Sequence, residues 1–139
     1  MKANDLRIGN WVKYEDKLVQ VVQLSSLMIL CQRDENQFLV NCAPKVFDPI
    51  ELTEEVLLKI GFKKNKYDWW KYFPGRENEI SILMTDNYTI IEYANLFHCP
   101  EDVTEVNYNS RLEFPRRIYI HELQNAYFLI SNQEMEIEL

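Results

Sequence analysis

The residues with the most chemical character lie in the run KKNKYDWWKYF. Lys63, Lys64, Lys66 and Lys71 interleave there with Tyr67, Trp69, Trp70, Tyr72 and Phe73. Ammonium groups beside flat aromatic faces are what a single-stranded nucleic-acid surface requires: charge for phosphates and rings for bases. In an extended strand Trp69 and Phe73 point one way and Trp70 and Tyr72 the other. If one pair enters a core, the other is left for a helix, a partner or a ligand. The ordinary alternative is a two-sided strand sandwiched between helix and barrel, with the lysines on a solvated turn. The net charge of -7 disfavours nucleic acid, because an acidic protein repels phosphate at long range. Trp70, Tyr72, Lys63, Lys64, Lys66 and Lys71 are therefore expected to contact a protein partner, with a nucleic-acid-binding module as the alternative.

Other constellations are weaker. His98, Cys99, Asp102 and His121 are the available metal-ligand types, but their spacing fits no structural zinc pattern. No metal and no cofactor is expected. Cys31, Cys42 and Cys99 are odd in number and form no CxxC, so neither a disulfide framework nor a zinc ribbon is indicated. Three glycines, Gly9, Gly61 and Gly75, cannot build a glycine-rich phosphate loop. His121 has Glu122 as its neighbour, but adjacent residues on a helix do not face each other, and no GxSxG occurs. A hydrolase or transferase centred on His121 is the least favoured reading, and the chain is expected not to be an enzyme.

His121, Gln124 and Asn125 form a polar line on the segment IYIHELQNAYFLIS. A second stripe, Ile120, Leu123, Tyr127 and Ile130, recurs at helical spacing and needs a core. The stripe is expected to seal a sheet. The polar line is expected to tie down neighbouring backbone, such as an irregular loop at 95–113, since mid-helix amides favour local hydrogen bonds.

The elements that position these residues fall into two parts. Residues 1–50 carry six basic and six acidic side chains, and residues 51–139 carry nine and sixteen. That asymmetry places a boundary near residue 50. The first part predicts strands over 6–14, 18–24, 27–32 and 38–42, with Pro49 in an edge or linking segment. Strands so short must close to hide their edges, which predicts an SH3-like small β-barrel. The second part, 51–139, opens with LTEEVLLKIGF: Thr53 as N-cap, Glu54 and Glu55 at the positive end of the helix, and Gly61 as left-handed terminus with Phe62 folding back on Leu57. A β-meander over 69–73, 79–85 and 88–94 follows, then a polar stretch at 95–113, a fourth strand over 112–118 and the closing helix. The expected class is α+β, with the barrel followed by an antiparallel sheet packed by a C-terminal helix, the two parts forming one body. Hydrophobic residues make up 47%, enough for a core. No apolar run reaches membrane-spanning length and the start lacks a signal-peptide apolar region, so a cytoplasmic protein with no membrane partner is expected.

Three segments, Leu6–Val12 (LRIGNWV), Pro49–Phe62 (PIELTEEVLLKIGF) and Ile120–Phe128 (IHELQNAYF), resemble in order a group of small uncharacterised proteins of phages, prophages and mobile elements of Bacteroidetes-type gut bacteria. That group often carries a glycine after its last helix, where Ser131 and Asn132 stand here. The resemblance implies an accessory protein of a mobile element in a bacterial host cell, and carries over no catalytic residue.

Overall fold

A computed structural model describes residues 2–25, 28–32, 39–73, 78–95 and 110–139. The chain divides into two units, Met1–Leu52 with Tyr119–Asn125, and Thr53–Ile118 with Ala126–Leu139. Both are built on antiparallel sheets, and with the C-terminal helix they make the chain α+β. None of the described helices is long and apolar enough to cross a membrane.

In the first unit β1 (Trp11–Tyr14), β2 (Lys17–Leu24), β3 (Ile29–Gln32) and β4 (Leu39–Cys42) form a meander in that order. Glu15 and Asp16, with φ of 46° and 62°, make the two-residue turn between β1 and β2. Both central residues left-handed is the geometry whose twist suits adjoining strands. The register of β2 against β3 shifts between Val21 and Gln23, a bulge that bends the long strand. Alternate residues then converge: Val12, Val19, Val21, Ile29 and Cys31 bury with Leu6 and Phe47 in one cluster. A 3-10 turn at Pro44–Val46 leads into Asp48, which exchanges both backbone hydrogen bonds with Lys13 at 2.8 and 2.9 Å.

The first strand is shorter than the sequence predicts. Asn10 is 2% exposed, and its Oδ1 accepts the Arg7 N–H at 2.8 Å. That side chain closes a turn over 7–10, and Gly9 takes φ 92° inside it. Pairing to β2 continues only irregularly, Gly9 N–H donating to Val21 O at 2.7 Å and Val21 N–H to Asn10 O at 2.8 Å, so the local side-chain bond bends the chain where a regular ladder was expected.

The second unit begins with α1 (Glu54–Lys59). Thr53 Oγ1 accepts the Val56 N–H at 3.3 Å. Gly61, at φ 87°, ends the helix, and Phe62 N–H returns to Leu57 O at 2.9 Å, the closing bond of a Schellman-type terminus. A five-stranded sheet follows in chain order: β5 (Lys63–Lys64), β6 (Trp69–Phe73), β7 (Asn78–Met84), β8 (Thr89–Asn95) and β9 (Ser110–Phe114). The fourth predicted strand lies two residues earlier than expected at its start and ends before Pro115, which has no N–H to extend the ladder. Along β6 to β9 the registered positions Trp69, Ile82, Ile91 and Leu112 share one face. Residues 96–109, with most of the predicted polar stretch, lie outside the described residues.

The closing helix α2 (Ile120–Ser131) contributes its first six residues to one unit and its last six to the other. Glu122 Oε2 accepts the Tyr119 N–H at 3.0 Å, the reaching-back half of a capping box. In the second unit Tyr127 is fully buried, its ring 4.9 Å from Phe73 and 6.3 Å from Tyr93, and its hydroxyl donates to Asn78 Oδ1 at 3.2 Å. Asn132, at φ 54°, takes the left-handed position after the helix and donates its N–H to Phe128 O at 2.8 Å. Met135 and Ile137 in the tail are buried without forming a strand.

Candidate functional site: the outer face of the five-stranded sheet

Strand alternation divides the basic-aromatic run. Trp69 and Phe73 are 5% and 8% exposed, whereas Trp70 is half-buried and Tyr72 exposed. The pair left outside is Trp70 and Tyr72. Antiparallel register then shows what surrounds it. Trp70 lies opposite Ser81, Ser81 opposite Glu92, and Glu92 opposite Arg111. Tyr72 lies opposite Glu79, and Glu79 opposite Ala94. Lys63 pairs with Trp70 from the other side, its Nζ 5.1 Å from the indole centroid.

The four lysines do not act as one cationic surface. Lys64 Nζ sits 2.8 and 2.9 Å from the two carboxylate oxygens of Glu54, at the start of α1. Lys71 is half-buried on the same side as Trp69 and Phe73. Its Nζ donates to Ile60 O at 2.6 Å and stands 5.1 Å from the Phe73 ring. Burial lowers its pKa from the ordinary lysine value. It serves as a cation at a helix C-terminus, where carbonyls gather partial negative charge. Lys66, in the exposed turn, lies 4.8 Å from the Tyr67 ring centroid. Only Lys63 of the four shares the Trp70 face by register.

Sequence spacing gave no hint of the acidic neighbours. Asp68 Oδ2 accepts the Ser81 hydroxyl at 2.8 Å, and Ser81 is 3% exposed although it points to the outer face. Asn65, Asp68, Trp70 and Glu79 line a shallow depression of about 360 Å³. Farther along, Arg111 is held by Glu92 at 3.2 Å and Glu113 at 2.8 Å. The face thus carries Lys63 and Arg111 against Asp68, Glu79, Glu92 and Glu113. Only the strand register could have brought them together, and it depends on turns whose lengths the sequence does not state. A second depression, about 460 Å³, is lined by Tyr88, Ile90, Glu113, Phe114 and Pro115.

The polar line of α2 has a structural task. Gln124, 4% exposed, accepts the Trp11 N–H at 3.0 Å and donates through Nε2 to Gly9 O at 3.1 Å. Its amide behaves as one more peptide group beside the N-terminal turn. Asn125 Nδ2 donates to Asp5 O at 3.0 Å. His121 is 3% exposed and stacks on Tyr119, centroids 5.9 Å apart and planes 7° from parallel. Among the described residues the two amides tie down the segment 5–11, while most of the 95–113 stretch that the sequence suggested lies outside them.

Cys31 is buried, and burial with Cys42 nearby pushes its thiol up to about 12, the opposite of an activated nucleophile. The Cys42 thiol contacts Tyr14 Oη at 4.0 Å, and that contact is the main reason the Tyr14 pKa is raised. Among the described residues no group of three or more His, Cys, Asp or Glu side chains could hold a metal. His98, Cys99 and Asp102 lie outside the described residues. Comparison of the chain with known protein families, curated proteins and solved structures finds no match.

Proposed function

We propose that this chain is a non-enzymatic binding protein whose outer sheet face, centred on Trp70 and Tyr72, docks a protein partner. The observation that carries this reading is the juxtaposition of an exposed Tyr72 and a half-buried Trp70 with side chains of both charges on one regular surface. Aromatic residues anchored by strand backbone present large contact area at small entropic cost, and mixed charge sets register with a partner. The same face argues against the nucleic-acid alternative. Lys64 and Lys71 are committed to Glu54 and Ile60, and the carboxylates of Asp68 and Glu79 border the aromatics. A phosphate chain on that surface would meet more repulsion than attraction.

The first unit fits an SH3-like small barrel. Supporting this are the four-stranded meander, the 3-10 turn before Asp48 and the Lys13–Asp48 pairing, which adds a fifth short segment beside β1. The resemblance of the three segments supports an accessory protein of a phage or mobile element acting in the cytoplasm of its bacterial host.

The test is a photo-crosslinking amino acid placed at Tyr72, with the same group at the exposed Leu129 as control. In host lysate the Tyr72 position should yield a discrete protein adduct that Trp70→Ala abolishes. Equal adducts from both positions, or one untouched by Trp70→Ala, would refute docking on this face.

A further inference from the structure

The depression beside Trp70 has a chemistry of its own. One wall is an indole, whose π face attracts cations. Two others are the carboxylates Asp68 and Glu79, and Asn65 completes the rim. The Ser81 hydroxyl donates to Asp68 Oδ2 at 2.8 Å, which orients one of these carboxylates. At about 360 Å³ the hollow accommodates one long side chain. Lys63 already places an ammonium 5.1 Å from the Trp70 centroid, so the ring accepts a cation in this setting.

We infer that this depression receives a cationic side chain, arginine or lysine, from a basic segment of the partner protein. The inference rests on the docking reading above and names the partner's chemistry. Charge complementarity carries it: an incoming guanidinium meets two carboxylates and an aromatic face, whereas a carboxylate or phosphate meets two like charges. Among the described residues that line or face the hollow, Lys63 is the unfavourable neighbour, because it repels the newcomer and competes for the ring.

That gives Lys63 a diagnostic sign. Removing it tightens a cationic ligand and weakens an anionic one. The probe is N-acetylargininamide, titrated into the 15N-labelled protein at low salt, with N-acetylglutamate and a short single-stranded oligonucleotide as comparisons. The expected result is saturable shifts of the Trp70 indole N–H and the amides of residues 65–70 and 79–81 with the arginine probe alone. Asp68→Asn and Glu79→Gln should each weaken binding about three- to fivefold, the scale of an exposed ion pair. Lys63→Ala should strengthen it about twofold or more. Shifts from the oligonucleotide that Lys63→Ala weakens, or no saturable shift from the arginine probe at these residues, would overturn the inference. The crosslinked adduct separates the two levels. If Trp70→Ala abolishes it but Asp68→Asn with Glu79→Gln leaves it intact, the docking face stands and the cation site falls. If Trp70→Ala leaves it intact, both fall.

Discussion

Replacing Gln124 tests how the end of the chain holds its beginning. The amide makes two hydrogen bonds, accepting from Trp11 N–H and donating to Gly9 O, in a site 4% exposed. Gln124→Met keeps the unbranched shape and most of the volume, so cavity and strain costs are small. The two bonds are not equal in consequence. Gly9 O also accepts from Gln20 Nε2 at 3.1 Å, so it keeps a partner and its loss is one net bond, about 0.5–1.5 kcal/mol. Trp11 N–H loses this acceptor in a part-buried site, and leaving such a donor without it costs about 1–3 kcal/mol. The expected destabilisation is about 2–4 kcal/mol. With a urea slope of about 2 kcal/mol/M, the midpoint falls by about 1–2 M. Gln124→Glu sharpens the test. The carboxylate can still accept from Trp11 but cannot donate to Gly9 O, and it is buried. Both effects favour the protonated acid and raise its folded-state pKa above the ordinary glutamate value. The stability supplied by that proton is fully present below the unfolded pKa of about 4.3 and is lost as pH rises through the raised folded value. The gap from wild type should therefore be narrow at pH 4 and wide at pH 7. A Gln124→Met cost under about 0.5 kcal/mol, or a Gln124→Glu gap equal at the two pH values, would refute the amide clamp as described.

Two further outcomes follow from the same structure. Gly61→Ala should cost about 1 kcal/mol by urea denaturation, because φ 87° strains any side-chain-bearing residue, while the added Cβ would meet Lys71 Nζ at an ordinary 3.6 Å. Cys31 should stay unmodified by a thiol reagent at pH 8, where a thiol of pKa about 12 is thiolate in roughly one molecule in ten thousand, so Cys31→Ala should not change the count of fast-reacting thiols. Its raised folded pKa also means stability is whole below the unfolded thiol pKa and falls as pH climbs toward 12, by at most about 1.4 kcal/mol per pH unit, a slope that Cys31→Ala should flatten.

What could be read beforehand depended on how far apart the interacting residues lie in the chain. α1 was legible to its ends because Thr53, Gly61 and Phe62 act on neighbours within a few positions. The division of Trp69 and Phe73 from Trp70 and Tyr72 was legible for the same reason, since alternation is local. The turn at 7–10 was misread as strand because nothing in the alternation announces that Asn10 will turn back on Arg7. The partners of Gln124 lie 113 and 115 positions away, beyond any local pattern. The engagement of Lys64 by Glu54 and of Lys71 by Ile60 was likewise hidden, and it changed the character of the basic run from a continuous cationic surface to a mixed one.

The division of α2 between the units has a consequence for how the protein is made. The first 52 residues leave the ribosome early, yet the piece that completes their unit, Tyr119–Asn125, is synthesised only after the whole five-stranded sheet. Trp11 N–H and Gly9 O must wait for Gln124 through nearly the entire translation of the chain. The nascent N-terminal strands therefore spend that time without their clamp, and a ribosome stalled before codon 119 holds a unit that cannot finish folding. Both units are discontinuous, Thr53–Ile118 of the second interrupting the first and Ala126–Leu139 following it, so a simple split at residue 52 does not yield the first unit whole. Joining residues 1–52 to 119–125 through a short linker is the arrangement that would.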